Sequence, residues 1–307
     1  MIDTVIKSIH NNLIGLDNEV TPIFITVDEM PMPKPTNSRE EEQKQKDEYE
    51  SKTHALDEYI SNLYHNYLIK AANIHIVVST EHHHIGGNVW KALGLIKDNY
   101  PSVKYLYYVQ HDFEFVRPVD HMALLQTVKE RNNNNNTKSR SRSNAYNYTS
   151  DANHAGISSG DKINYVLFQY KNRNNFCRPE ENNIAIMSSS LSSTTTSSTI
   201  GNSDINNIAQ FKANLATTTS TTTTMVPSEV SASNSTFLCS TCTYSDNNHF
   251  VEFDWYYQMI DSLGYRKRPP EDPMMNEAAG NCRELGLYLY VDEVGVTLSH
   301  LDGRGSN

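Results

Sequence analysis

Apolar and polar positions follow two kinds of pattern along the chain, short apolar runs and longer stretches with helical periodicity. The short runs are rich in β-branched and aromatic residues, and they predict strands at residues 22–30, 73–80, 104–111, 163–170 and 286–300. The periodic stretches repeat apolar residues at intervals of three and four, and they predict helices at residues 56–68, 88–97 and 250–263. Strands and helices in this order predict an α/β fold with a mostly parallel sheet and helices on both faces.

Two polar tracts interrupt this pattern. Residues 131–160 consist mainly of Asn, Ser and Thr with a few charges, and residues 187–236 are rich in Ser and Thr. Ordering a backbone costs about 1–2 kcal/mol per residue, and these tracts lack the apolar area that would offset that cost. We therefore predict a single domain over residues 1–307 that carries two disordered insertions, which also explains why only 37% of the chain is apolar.

The charge balance narrows the classes of partner. Acidic residues outnumber basic ones by 36 to 26, which gives a formal net charge of −10. A surface with this charge repels phosphates of nucleic acids and anionic lipids, so we expect no nucleic-acid partner.

Segments that would direct the chain to a membrane are not predicted. No apolar run reaches the length of about 18 residues that predicts a transmembrane helix, and residues 1–16 are amphipathic, unlike a signal peptide. We expect a cytoplasmic protein if the chain is complete, and a protein of the Golgi or endoplasmic reticulum if an amino-terminal anchor is missing.

The 4 cysteines are too few to predict a disulfide scaffold. Cys239 and Cys242 have the spacing of a zinc or redox motif, but no second cysteine pair or histidine pair completes a site. We interpret both as loop residues beside the second insertion, with a structural metal as the alternative.

Candidate chemistry lies where the predicted strands end, because ligands of parallel sheets bind at the carboxyl ends of strands. The strongest signal is Asp112 and Glu114, which follow an apolar strand and are two residues apart, so an extended backbone directs both carboxylates to one side. Oxygen ligands suit Mg²⁺ or Mn²⁺, and such a cation neutralises a phosphate leaving group. A solvated strand end is the alternative interpretation.

A glycine pair, Gly86 and Gly87, precedes a predicted helix between two strands. Glycine allows a ligand close to the backbone, and the N–H groups at a helix start favour phosphate. A turn is the alternative for such a pair taken alone. Just before it lie His82, His83 and His84, of which only His82 and His84 can face one ion on an extended backbone. We interpret the three histidines as a polar loop that lines a nucleotide pocket, with a zinc site as the alternative.

In their order, these motifs resemble the GT-A-fold glycosyltransferases, in particular the inverting, family 2-like enzymes that use nucleotide-diphospho-sugars. Residues 87–95, Gly-Asn-Val-Trp-Lys-Ala-Leu-Gly-Leu, parallel the loop and helix of that family, and Asp112-Phe-Glu114 stands where its D-x-D motif would be. Residues 4–9 look like its first helix. The sequence departs from the pattern in the Gln110-His111 pair before the motif and in Glu114 at its last position.

The resemblance implies a GT-A-like fold, a nucleotide-diphospho-sugar donor, a carbohydrate, lipid or protein acceptor, and Mn²⁺ or Mg²⁺ as cofactor. Its implied metal ligands are Asp112, Glu114 and His300. Its implied contacts to the nucleotide-sugar are Asp28, Glu29, Gly86, Gly87, Asn88, Lys91, His111, Asp112 and Arg304.

Inversion at the sugar requires a carboxylate that takes the proton of the acceptor hydroxyl. Residues 269–277 resemble the E-D motif that supplies this base in the inverting enzymes. Asp272 is our first choice, with Glu271 and Asp254 as alternatives, and capping of a helix is the alternative role for Glu271 and Asp272.

Two other classes of function remain open. A nucleotidyltransferase would also use a metal site built from carboxylates, but residues 27–31 lack the basic, glycine-rich loop that such enzymes carry after the first strand. A GT-A-like protein without turnover, which only binds carbohydrate or a partner, is the non-enzymatic alternative.

Overall fold

A computed structural model describes residues 1–68, 73–139, 162–170, 177, 183–186, 236–245, 247–262 and 271–302. These residues belong to one unit that comprises Met1–Ser188 and Ser235–Asn307. The α-helices in the described ranges are α1 Ile2–Asn12, α2 Arg39–Leu63, α3 His84–Asn99, α4 His121–Ser139, α5 Phe253–Ser262 and α6 Glu271–Leu285, and a π-helix, Tyr64–Leu68, follows α2 directly. The strands are β1 Leu13–Ile14, β2 Ile23–Val27, β3 Ile74–Val78, β4 Tyr105–Tyr108, β5 Phe113–Phe115, β6 Val119–Asp120, β7 Tyr165–Phe168, β8 Ile184–Ala185, β9 Thr236–Ser240, β10 His249–Glu252, β11 Leu287–Asp292 and β12 Leu298–His300.

The largest sheet has 6 strands in the order β4-β10-β7-β11-β9-β8. Only the β7–β11 pair in it is parallel, and the other pairs are antiparallel. The mixed α/β class is therefore confirmed, while the predicted mostly parallel sheet is wrong for the described strands. The reason lies in β9 and β10, which the sequence pattern did not predict and which form the antiparallel pairs at the centre of the sheet.

Both faces of this sheet are covered, as predicted. Alternate residues of β7 point to opposite sides, so that Tyr165 and Leu167 pack with α3, α5 and α6 while Val166 and Phe168 pack with α4. Each face therefore has its own apolar core.

The start of the predicted helix at residues 250–263 is a strand instead. His249–Glu252 form β10 between β4 and β7, and the helix begins at Phe253. Val251 and Phe250 are buried on opposite faces of the sheet, and these residues satisfy a helical period and a strand period equally well.

The first two long strands do form a parallel pair. β2 and β3 run in register from Ile23 opposite Ile74 to Val27 opposite Val78. The apolar stripe predicted at residues 56–68 packs against this pair, because Leu56, Ile60 and Leu63 join its core. The carboxyl ends of both strands consequently lie side by side.

All four cysteines are paired, which replaces the structural metal considered for Cys239 and Cys242. Cys239 lies in β9 rather than in a loop, whereas Cys242 lies in the irregular segment after β9, as interpreted. Cys177 is bonded to Cys239 and Cys242 to Cys282, with Cα atoms 5.5 and 4.8 Å apart. The C-x-x-C spacing misled because Cys239 and Cys242 each pair with a residue distant in sequence, and the second bond attaches α6 to the segment after β9.

The boundaries predicted for the two insertions overlap with ordered elements of the structure. Helix α4 continues to Ser139, inside the predicted tract 131–160, and buries Asn132. The Asn132 amide donates to the Ile163 carbonyl at 3.0 Å and its oxygen accepts the Ile163 N–H at 2.8 Å. The start of this tract is therefore helical and attached to the segment before β7. β9 begins at Thr236, and residues 140–161 and 187–235 lie outside the described residues. None of the described helices is long and apolar enough to span a membrane.

Candidate functional site

The carboxyl ends of β2 and β3 bring together Asp28, His82 and His84, which we call the histidine-pair cluster. Asp28 follows β2 directly, and one carboxylate oxygen accepts the N–H groups of Glu29 and His83 at 3.1 and 2.9 Å. The other oxygen lies 2.9 Å from Nδ1 of His82. Asp28 therefore fixes the loop after β3 to the end of β2, at the sheet edge where it was predicted to lie.

The tautomer of His82 follows from its neighbours. Its Nδ1 also lies 2.8 Å from the Glu29 carbonyl, and both of its oxygen neighbours only accept hydrogen bonds. Nδ1 therefore carries the proton, so Nε2 of the neutral ring presents a lone pair. This Nε2 lies 3.2 Å from Nδ1 of His84.

His84 is held in an unusual conformation. Its φ of 57° is the one positive value among the described non-glycine residues. Such a conformation costs about 1–3 kcal/mol and persists only where the surrounding structure imposes it. Here it occurs at the first residue of α3, where the His84 ring meets that of His82 at a centroid distance of 4.2 Å.

The start of α3 is attached to β3 by a short polar chain. The buried Ser79 hydroxyl donates to the Asn88 oxygen at 2.5 Å, and the Lys91 ammonium donates to Ser79 at 3.3 Å. Asn88 and Lys91 thus lie at the carboxyl end of β3, next to the end of β2 that carries Asp28, and their expected contact with the nucleotide-sugar stays a prediction. This edge offers an ammonium group and a helix start to an anion.

Gly86 and Gly87 are buried within the first turn of α3, because this helix starts at His84 rather than at residue 88. The Gly87 N–H donates to the His83 carbonyl at 3.3 Å, which is an intrahelical bond. The Gly87 N–H is therefore already used within the helix, and the expected contact of Gly86 and Gly87 with the nucleotide-sugar stays a prediction. The helix starts earlier than predicted because residues 84–87, which precede its apolar period, are already helical.

A second cluster, Asp112, His300 and Asp302, lies where β5 and β12 pair. We call it the two-carboxylate cluster. Nε2 of His300 is 3.2 Å from an Asp112 carboxylate oxygen, and Nδ1 contacts the Asp302 carboxylate. The Leu301 N–H donates to the Asp112 carbonyl at 2.8 Å, which ties the two chain segments together. The structure thus brings together Asp112 and His300, which are far apart in sequence.

Glu114 does not join them. In the antiparallel β5–β12 pair, Glu114 lies opposite Ser299 and Phe113 lies opposite His300. Directly opposite residues share a side of the ribbon, and the Phe113 and His300 rings are indeed 4.4 Å apart. Glu114 therefore lies on the other side from His300. Asp112 and Glu114 were predicted to face one side because both were placed on an extended backbone. Asp112 instead belongs to the turn before β5, so its side chain does not follow the alternation of the strand.

Helix α1 supports β5 from the other direction. The Phe115 N–H donates to the Ser8 hydroxyl at 3.0 Å, and the Asn12 amide donates to the Phe115 carbonyl at 2.7 Å. Ser8 and Asn12 of α1 therefore hold β5, the strand that follows Asp112.

The donor set of Asp112 and His300 fits a divalent cation. A carboxylate oxygen and an imidazole nitrogen suit Mn²⁺, and Mg²⁺ commonly takes one or two protein ligands while water and phosphate oxygens complete its shell. Within the described ranges, no three His, Cys, Asp or Glu side chains gather closely enough to enclose an ion. In the two-carboxylate cluster the reason is that the two nitrogens of His300 point in different directions, so Asp302 lies behind the ring.

The carboxylates considered as the catalytic base lie at the starts of two different helices, α5 and α6. Asp254 is exposed in the first turn of α5, and Glu271 is exposed at the start of α6, where it accepts a hydrogen bond from Ser245 at 3.1 Å. The Asp272 side chain and Arg304 lie outside the described residues.

Asn248 connects the segment that contacts Glu271 to the turn that holds Asp112. The sequence did not single out this residue. Its side chain accepts the Gln110 N–H at 2.8 Å and donates to the Phe113 carbonyl at 3.3 Å, on both sides of the turn that holds His111 and Asp112. Ser245 lies three residues earlier on the same segment. The Glu271 end of α6 is therefore linked to the Asp112 turn through one short segment, and no such link is seen for Asp254 within the described residues.

Comparison with known proteins adds no assignment: no family matches the chain, and no curated protein or solved structure is significantly similar to it.

Proposed function

We propose that this chain is a GT-A-like glycosyltransferase that moves a sugar from a nucleotide-diphospho-sugar to a hydroxyl of a carbohydrate, lipid or protein acceptor, with inversion and with Mn²⁺ or Mg²⁺. The observation that carries the proposal is the contact between Asp112 and His300 at 3.2 Å. Both residues were expected as metal ligands from motif order alone, and their proximity across a long sequence separation supports a shared metal.

Asp112 and His300 would hold the cation. When bound, the cation supplies neutralisation of the charge that develops on the leaving diphosphate. His111, exposed beside Asp112, remains a candidate contact to the donor.

The edge formed by β2 and β3 would bind the nucleotide. Asp28 offers a carboxylate to the base, while Lys91 and the start of α3 offer positive charge to the diphosphate. Glu29 is half-buried beside Asp28 and remains a second candidate contact to the base.

The acceptor hydroxyl would lose its proton to the Glu271-Asp272 pair at the start of α6. Glu271 is linked through Ser245 and Asn248 to the Asp112 turn, which favours this pair over Asp254. The base takes the proton as the hydroxyl oxygen attacks the anomeric carbon and the bond to the diphosphate breaks.

The test is release of nucleotide diphosphate by the full chain from a panel of UDP- and GDP-sugars with Mn²⁺, in the presence of simple glycoside acceptors. We expect Asp112→Asn to lower kcat/KM by about 100-fold or more, because it removes a charged ligand. Asp98→Asn, which changes an exposed aspartate on α3 in the same way, should match the unmodified chain.

Two results would overturn the proposal. One is release of nucleotide diphosphate that is unaffected by Asp112→Asn. The other is binding of these donors in calorimetry without any turnover, which would support a carbohydrate-binding or partner-binding protein instead.

A further inference from the structure

The histidine-pair cluster has the geometry of a second metal site. Two nitrogens bound to one zinc ion at about 2.0–2.1 Å, with tetrahedral angles, are about 3.3–3.4 Å apart. The facing nitrogens of His82 and His84 are separated by 3.2 Å. The two rings therefore need only a small adjustment to share a cation.

The environment of His82 matches that of a metal ligand. Metal-bound histidines almost always donate the other ring N–H to a carboxylate or a backbone carbonyl. The Nδ1 of His82 contacts both kinds of group, the Asp28 carboxylate at 2.9 Å and the Glu29 carbonyl at 2.8 Å. These contacts set the ring so that the Nε2 lone pair faces His84, from whose Nδ1 it accepts a hydrogen bond at 3.2 Å. A bound ion would take the place of that hydrogen bond.

Access and charge are also suitable. The side chains of His82 and Asp28 are 27% and 23% exposed, and His84 is exposed, so water or a substrate group can complete the coordination shell. The partial positive charge at the start of α3 opposes a cation, and the Asp28 carboxylate offsets it.

We propose that His82 and His84 bind a zinc-type transition-metal ion, with Asp28 as the positioning residue behind His82. Imidazole nitrogens select zinc and similar ions, whereas carboxylates and carbonyls suit Mg²⁺ and Mn²⁺. The site is separate from Asp112 and His300 and does not depend on the proposed function.

The experiment is calorimetric titration of the metal-free full chain with ZnCl₂ in excess MgCl₂, which occupies oxygen-rich sites. We expect one zinc ion per chain, a loss of affinity of about 100-fold in His82→Asn and in His84→Asn, and a loss of about 10–100-fold in Asp28→Asn. His54→Asn, which changes an exposed histidine on α2, should bind zinc as the unmodified chain does.

Three results would overturn the proposal: no zinc binding at micromolar concentration, zinc binding by either histidine variant as tight as that of the unmodified chain, or loss of zinc binding in Asp112→Asn. Circular dichroism establishes that each variant is folded. Should a variant unfold, pulsed electron paramagnetic resonance of the unmodified chain with one equivalent of Cu²⁺ counts the bound imidazoles. Two coupled rings support the site, and none contradicts it.

Discussion

His82 and His300 each use both ring nitrogens, but their partners differ in chemistry. His82 lies between a carboxylate and a second imidazole, whereas His300 lies between two carboxylates. The Nε2 atom of His82 therefore faces a nitrogen, whereas the Nε2 atom of His300 faces an oxygen. Because ligand type separates zinc from manganese and magnesium, the same bonding pattern serves two different ions in our account.

The two clusters also differ in how the fold builds them. The histidine-pair cluster is local, since His82 and His84 are two residues apart, in the loop after β3 and at the start of α3, and only Asp28 comes from a different segment, the end of β2. The two-carboxylate cluster depends on pairing of β5 with β12, which are distant in sequence. Its integrity is consequently a property of the whole fold.

The largest effect that separates the clusters is expected from the double variant Asp112→Asn, His300→Gln. We expect Mn²⁺ affinity to fall by about 100-fold or more, because both direct ligands are lost. Zinc affinity at the histidine-pair cluster should stay within about twofold, since no residue of that cluster is changed. Electron paramagnetic resonance of free Mn²⁺ and zinc calorimetry on the same sample measure both. Parallel losses would show that the clusters are not independent.

A smaller effect is expected from Asp302→Asn. Its carboxylate contacts Nδ1 of His300 and so leaves Nε2 free to face Asp112. Removing such a partner behind a ligand typically weakens metal binding by about 10–100-fold. Mn²⁺ titration tests this, with Asp98→Asn as the matched exposed control. An unchanged affinity would mean that Asp302 does not orient the ring.

A third histidine, His249, sharpens the comparison because no carboxylate contacts it in the described structure. It is fully buried between Tyr108 and Tyr165, its Nδ1 donates to the Asn247 carbonyl, and burial lowers the pKa of its ring to about 3. Between pH 6.5 and about 3, the unfolded chain therefore binds a proton that the folded chain does not. Stability should fall as the pH drops through this range.

The expected loss is about 1 kcal/mol from pH 6.5 to 5.5, or about fivefold in the unfolding equilibrium. His249→Phe should remove this part of the pH dependence, although it also loses the hydrogen bond to Asn247. Urea unfolding at both pH values, compared with the unmodified chain, measures the difference. Identical slopes would contradict a neutral, buried His249.

The smallest effect is expected from Glu114→Gln. The motif order implied a metal ligand here, but Glu114 lies opposite Ser299 and away from His300. We expect Mn²⁺ affinity to change by less than about threefold, as for a charge near but not in the coordination shell. A loss as large as that of Asp112→Asn would restore Glu114 as a ligand.

The sequence predicted the strand ends well and the sheet poorly. Asp28 and Asp112 were located because an apolar run followed by a polar residue reveals where a buried strand ends. The direction of β9 and β10 was not readable, because burial patterns report which side of a strand is covered and not which way it runs. A helix-like period in residues 250–263 concealed β10 entirely.

Long-range pairing was likewise beyond reach from sequence. Three features depend on contacts across the fold: the disulfide partners of Cys239 and Cys242, the hydrogen bonds of Asn248 to both sides of the Asp112 turn, and the position of Asp302 behind His300. The pairing of Asp112 with His300 was expected only because the resemblance placed both on one metal. Motif order therefore supplied what local pattern did not.

The most direct test is diffraction from crystals soaked with MnCl₂ and UDP or GDP, with anomalous data collected at the manganese edge. Our account predicts a manganese peak within coordination distance of the Asp112 carboxylate, Nε2 of His300 and the oxygens of the diphosphate. A manganese ion bound elsewhere, or a nucleotide bound without contact to Asp112 or His300, would contradict it.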